Sequence, residues 1–110
     1  MNMSSQSDYI VVLTNSPSQD NAKLIARHLL EKKLCACVNI LNPCLSMYHW
    51  QEEIETANEI PMLIKAKSAL FDEIQATIRK YHPYDVPEIV ALPIEYGDVE
   101  YLKWINVVSK

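Results

Sequence analysis

The chain has 110 residues, 49% hydrophobic and 22% charged, with a formal net charge of −4. That length predicts one domain with a core of useful size, and the composition excludes intrinsic disorder. The acidic balance excludes the basic face that nucleic-acid binding needs, no apolar run is long enough for a membrane span, and a single glycine, Gly97, rules out a phosphate-cradling Gly-rich loop.

Residues 1–7 are polar and are expected to form a flexible N-terminus, with a single domain over residues 8–110. The N-terminus lacks the charged and apolar regions of a secretory signal, so a cytoplasmic location is expected. Three cysteines, an odd number, argue against a disulfide framework. With so little glycine, a small anionic ligand would have to be held by side chains, helix N-termini or a subunit interface.

Tyr9-Ile10-Val11-Val12-Leu13 is a short apolar run that predicts a strand buried on both faces. Ser16-Pro17-Ser18-Gln19 predicts a helix start, with Ser16 as cap and Gln19 at the capping-box position. This helix is expected to run to about Lys33, with Ala22, Ile25, Ala26, Leu29 and Leu30 as its apolar stripe. Leu34–Leu41 reads as a second strand. After Asn42-Pro43 the strand composition resumes over Cys44–Trp50, and a polar turn follows at Gln51-Glu52-Glu53. A third strand is expected from Ile54 to Lys67, with Pro61 demanding a bulge or an unpaired N–H. Ser68 is placed to cap a helix carrying Phe71, Ile74, Ile78 and Tyr81 at helical spacing.

That helix should stop near Tyr81, because His82 precedes a proline. The stretch His82-Pro83-Tyr84-Asp85-Val86-Pro87-Glu88 then places an imidazole, a phenol and carboxylates on backbone that the prolines restrain. Pro87 and Pro93 share parity, so the strand that follows is expected at a sheet edge, its prolines turned away from its partner. Gly97-Asp98 opens a C-terminal helix with Tyr101, Ile105 and Val108 on one side.

The order strand, helix, strand, strand, helix, strand, helix predicts an α+β ferredoxin-like fold: an antiparallel sheet, strand order 4-1-3-2, and a long hairpin between the second and third strands. The hairpin arms are too long for a compact domain of this size, so the tip must overhang. It carries Leu45, Met47, Tyr48, Trp50 and Ile54, an apolar edge that calls for another copy of the chain.

These residues carry a resemblance. The chain resembles the CutA-type divalent-cation tolerance proteins in Ala26-Arg27, Leu30-Glu31, Ala36-Cys37-Val38-Asn39, Ser46, Tyr48, Trp50, Glu59 and Ile64-Lys65. His82-Pro83-Tyr84, Pro87-Glu88-Ile89, Leu92-Pro93-Ile94, Gly97 and Tyr101-Leu102-Lys103-Trp104-Ile105 continue it. The resemblance implies a homotrimer held by the hairpins and similar in architecture to PII signalling proteins. It also implies a role in tolerance of divalent metals such as copper. Two departures stand out. Glu52 replaces a hairpin-tip glycine that is usual in the family. Thr14 and Tyr81 stand where some relatives carry a cysteine and a second histidine.

His82 is the candidate metal ligand, through neutral imidazole; its alternative role is a helix C-terminal histidine favoured by the dipole. With His82 alone of that set, the expected cofactor is Cu(II) or another divalent cation, weakly held between subunits and lost in His82→Ala. The substitution itself is expected to cost little, as a surface change. Tyr48, Trp50, Tyr84, Glu88 and Trp104 are the candidate lining of a small-ligand site, the aromatics being equally readable as core or interface anchors. Cys35 and Cys37 are expected on one strand face, too far apart for an easy bridge and readable as buried apolar thiols or soft-metal ligands. His49 is expected in a solvated or interface role, and the exposure of Cys44 is left open. Glu59, Glu88 and Lys65 form no spacing typical of a catalytic site, so no enzyme activity is expected. The leading function is a trimer that binds a metal ion or small ligand at its subunit interface. The alternative is a PII-like signalling or scaffold trimer that organises partner proteins without metal chemistry.

Overall fold

The computed structural model describes residues 7–110. The expected flexible segment therefore lies outside the described residues except for Ser7. Ser7 is tied in, its hydroxyl donating to the carbonyls of Tyr9 (2.9 Å) and Ile94 (2.6 Å).

Strand β1 (Tyr9–Ser16) is followed by helix α1 (Gln19–Glu31), then β2 (Cys37–Ile40), β3 (Cys44–Trp50) and β4 (Glu53–Lys67). A 3-10 turn (Ser68–Leu70) leads into α2 (Phe71–Tyr81), then β5 (Ile89–Pro93) and α3 (Val99–Val108). The antiparallel sheet runs β2-β4-β1-β5, with β3 extending it along the outer half of β4. This is the predicted α+β ferredoxin-like order. Along β1, Ile10, Val12, Thr14 and Ser16 are buried, and along β4, Ile60, Met62, Ile64 and Ala66. Ala22, Ile25, Ala26 and Leu29 of α1 pack there with Ile74 and Ile78 of α2 to form the core. Helix α3 lies against β4 with Ile105 buried apart from that core.

Several boundaries differ from expectation. The cap of α1 is Ser18, whose hydroxyl accepts from the Asn21 N–H (3.1 Å). Ser16 instead belongs to β1, and its hydroxyl donates to Asn21 Oδ1 (2.8 Å). The helix ends at Glu31, because Lys33 adopts a left-handed φ of 58° and the Leu34 N–H closes on the Leu29 carbonyl (2.9 Å). That is a Schellman stop without glycine. Ser68 does not cap α2; its hydroxyl donates to the Ser7 carbonyl (2.6 Å), and the chain makes a 3-10 turn first.

The arm predicted as one strand from Leu34 is divided. Leu34 and Cys35 are buried before β2 begins. Ile40 pairs with Met62 and Cys44 with Glu59, so Leu41, Asn42 and Pro43 stand opposite only Ile60 and Pro61. One extra residue is a β-bulge. The Pro61 carbonyl accepts from the Leu41 N–H (2.9 Å), so Pro61 turns its missing donor toward the bulge, as its chemistry requires.

Beyond the bulge, parity decides what each face of the β3–β4 hairpin carries. Directly paired residues share a face and successive residues alternate. Cys44, Ser46, Tyr48 and Trp50 therefore share one face with Glu59, Ala57, Glu55 and Glu53. The opposite face carries Leu45, Met47 and His49 with Asn58, Thr56 and Ile54. The hairpin turns through Gln51 (φ 49°) and Glu52 (φ 66°), both left-handed, as a type I′ turn demands of its central pair. At the other side of the sheet, β5 pairs only with β1. The Ile94 N–H bonds the Tyr9 carbonyl (2.9 Å), which leaves Pro93 facing outward, as expected of an edge strand.

Candidate functional site

The predicted turn is built around His82. Helix α2 ends there with His82 extended (φ −82°, ψ 134°), as the following proline requires. The ring is buried, at 6% exposure. Its Nδ1 accepts the Tyr84 N–H (3.1 Å), so the ring hydrogen sits on Nε2, which donates to the Asn15 carbonyl at the end of β1 (2.6 Å). Neither nitrogen offers a free lone pair. His82 is thus a structural joint between β1 and the turn, not the surface residue expected.

His82 also sets Tyr84. Beyond the backbone bond, the two rings meet edge to face at 4.7 Å. Tyr84 then reaches across to β4, its hydroxyl donating to Glu59 Oε2 over a long 3.4 Å. Burial, and then the Glu59 carboxylate beside it, raise the Tyr84 phenol above its ordinary value. Tyr48 of β3 lies within electrostatic reach of the same phenol. Glu59 is itself 9% exposed. Glu88 accepts from Asn15 Nδ2 (3.1 Å), and Asn21 of α1 donates to the Tyr81 carbonyl (3.0 Å). The end of β1, the start of α1 and the end of α2 are thus linked by one polar network. Thr14, next to it, has a buried hydroxyl with no hydrogen-bond partner among the described residues.

Of the five expected lining residues, the structure sets Tyr84 on Glu59, with Tyr48 within electrostatic reach of the Tyr84 phenol and Glu88 on the neighbouring Asn15. Trp50 closes the hairpin at the turn, 60% exposed. Trp104 lies elsewhere, on α3 with its ring 5.7 Å from that of Tyr101. Tyr101 neighbours Cys37, whose partner Lys65 is six residues along β4 from Glu59, about 20 Å away. There Lys65 Nζ is hydrogen-bonded to Asn39 Oδ1. Two shallow cavities open at the other end of β1, against Asp8 and Tyr9, and hold none of the expected residues.

The thiols are free: Cys35 buried, Cys37 half-buried and Cys44 exposed. Cys35 precedes β2 and does not share its face as a strand residue. Tyr81, at the position of the second histidine in some relatives, is stacked on His28 at 3.9 Å. No group of three or more His, Cys, Asp or Glu residues is placed to hold a metal among the described residues. The sequence reading missed Asn15 and Asn21, whose only signal was two amides flanking a Ser-Pro-Ser helix start.

Comparison with known proteins matches this geometry to a family. The profile described as CutA1 divalent ion tolerance protein matches residues 10–108. The divalent-cation tolerance protein CutA of Thermus thermophilus is 44% identical over 96 residues, covering 87% of this chain and 93% of that one. The CutA homolog of Danio rerio is 43% identical over 95 residues, and the match covers 63% of its length. The CutA1 structure from Shewanella sp. SIB1 superposes with a TM-score of 0.93 at 37% identity, covering 96% of this chain and 98% of that one. A structure from Archaeoglobus fulgidus, whose name calls it periplasmic, superposes at 0.89 with 41% identity, covering 91% and 97%.

Proposed function

The chain belongs to the CutA1 family of divalent ion tolerance proteins, and on that premise we propose that it acts as a homotrimer in tolerance of divalent cations such as copper. In this reading a metal ion or small ligand is held where subunits meet, and no reaction is catalysed. The observation that carries the reading is the β3–β4 hairpin. Leu45, Met47 and Ile54 on one of its faces are 65%, 68% and 67% exposed, and β3 and β5 each leave one edge unpaired. Two open edges on opposite sides of one sheet favour head-to-tail association, which closes into a ring. Three free cysteines are in keeping with a cytoplasmic location. No helix of the described residues is long and apolar enough to cross a membrane.

Sedimentation equilibrium at micromolar concentration tests it. The expected mass is about three times the 12.6 kDa of one chain, and a monomer would overturn the reading. Titration with Cu(II) in the same buffer tests the metal arm. The commitment of both His82 nitrogens favours a second reading, a scaffold or PII-like signalling trimer without metal chemistry. Copper binding that survives removal of every accessible thiol and imidazole would count for nonspecific uptake and so for that alternative.

A further inference from the structure

The last pair that β4 makes with β1 is Ile60 with Ser16, so from Glu59 out to Glu53 it pairs with β3 alone. A two-stranded ribbon standing by itself is marginal in water. The root of this ribbon is weakly held on the β3 side. Leu41, Asn42 and Pro43 face Ile60 and Pro61 there, and both prolines lack an N–H to give. Among the described residues, the bond from the Leu41 N–H to the Pro61 carbonyl is the one backbone bond across the bulge. One side-chain hydrogen bond, and no ion pair, joins residues 44–59 to the body of the described chain: the Tyr84 hydroxyl on Glu59 Oε2. It falls at the first pair beyond the bulge, Cys44 with Glu59. What stands behind that contact is stiff. The buried His82 ring holds the Asn15 carbonyl with Nε2 and the Tyr84 N–H with Nδ1, and its edge meets the Tyr84 ring. Pro83, between the two, has a fixed φ. A support that starts on β1 thus ends on the root of the arm. Glu53 lies six residues further out, about 20 Å away.

We propose that the His82-Pro83-Tyr84 turn is a strut for the hairpin arm: Tyr84, held by His82, bears on Glu59 and fixes the course of the arm where the bulge alone would let it swing. Tyr84 and Glu59 are its positioning residues. The contact sits at the short end of a long lever, so a small displacement at Glu59 is multiplied at the Trp50 turn. The strut belongs to one chain and does not rest on the homotrimer. It adds to that reading an arm whose freedom is lost on folding rather than on association, which favours binding.

Backbone 15N relaxation and amide hydrogen exchange on the full chain, in whatever assembly it forms, test the strut. Tyr84→Phe removes only the hydroxyl of an exposed side chain and keeps the ring against His82, so the fold survives it. The expected result is a fall in the order parameters of residues 45–58 from the rigid range of about 0.85 toward about 0.6. Exchange at Leu41 should quicken as its bond to Pro61 opens. Residues 62–66, in the body of β4, should stay as in wild type, which a general loss of stability would not allow. Glu59→Ala should act like Tyr84→Phe, whereas Glu59→Gln, which keeps an acceptor, should act like wild type. The double variant Tyr84→Phe with Glu59→Ala should be no looser than either single one. Tyr96→Phe, which removes a hydroxyl from a distant exposed ring, should leave the arm unchanged. An unchanged arm in Tyr84→Phe, equal loosening of residues 62–66, or additive effects in the double variant would overturn the strut. Sedimentation of the same samples keeps the two readings apart. A monomer whose arm loosens in Tyr84→Phe overturns the assembly alone, and a trimer whose arm ignores Tyr84→Phe overturns the strut alone.

Discussion

His82 ties the end of β1 to the turn through its two ring nitrogens, and its removal leaves the Asn15 carbonyl and the Tyr84 N–H without partners. His82→Ala should therefore cost about 2 kcal/mol or more in chemical denaturation, well above a surface change. Thr14 works in the opposite direction. Its buried hydroxyl is unpaired, so Thr14→Val keeps the shape, removes the desolvation cost and should raise stability by about 1 kcal/mol. A loss instead would mean that the hydroxyl finds a partner in the assembly. Cys35 adds a pH dependence. Burial, reinforced by the Cys37 thiol, pushes its thiol up to about 12. The unfolded thiol ionises near 9.0, so this contribution is complete below about pH 9 and is lost as pH rises toward 12. Wild type should lose stability relative to Cys35→Val across that window, and parallel pH profiles would contradict it. At this scale the sequence was legible where backbone chemistry rules, as in the helix stop that Pro83 imposes at His82. It was not legible where a side chain's partner lies far along the chain. Asn15 is 67 residues from His82, and no local pattern announces that bond.

The elements show where local rules were bent. The turn at Gln51-Glu52 and the helix stop at Lys33 both place non-glycine residues at left-handed φ. Each position costs roughly 1 kcal/mol relative to glycine, so Glu52→Gly and Lys33→Gly should each raise the unfolding midpoint by a gain of about that size. A loss in Glu52→Gly would show that its side chain is held in the assembly. Strand order and the edge position of β5 were readable because proline and hydrophobic alternation are local signals. The Ser18 cap was less so: Ser16 and Ser18 are chemically equivalent candidates, and β1 continues through Ser16 because it pairs with Ile60. The bulge was half-legible, since Pro61 required a break in pairing but did not say which strand would carry the extra residue.

At the scale of the whole molecule, principal extents of 44 × 35 × 23 Å reflect a domain with an arm rather than a sphere. If association buries the apolar face of that arm, Met47→Asp should shift sedimentation toward the single-chain mass while leaving the chain folded. Unchanged mass would place the contact elsewhere. The overhang was legible because strand length is set by rise per residue; which face meets a partner was not. Loops ordinarily absorb insertions and deletions with little consequence. The three residues from Leu41 to Pro43 work instead like a dropped stitch: they stand opposite two, so β3 joins β4 one residue out of step with β2. Deleting one would leave two opposite two, close the bulge and straighten the arm, while β4 runs through unbroken and keeps Tyr48 and Trp50 on their own side. The surplus residue sets the angle at which the arm leaves the sheet, and the unbroken strand sets its two sides.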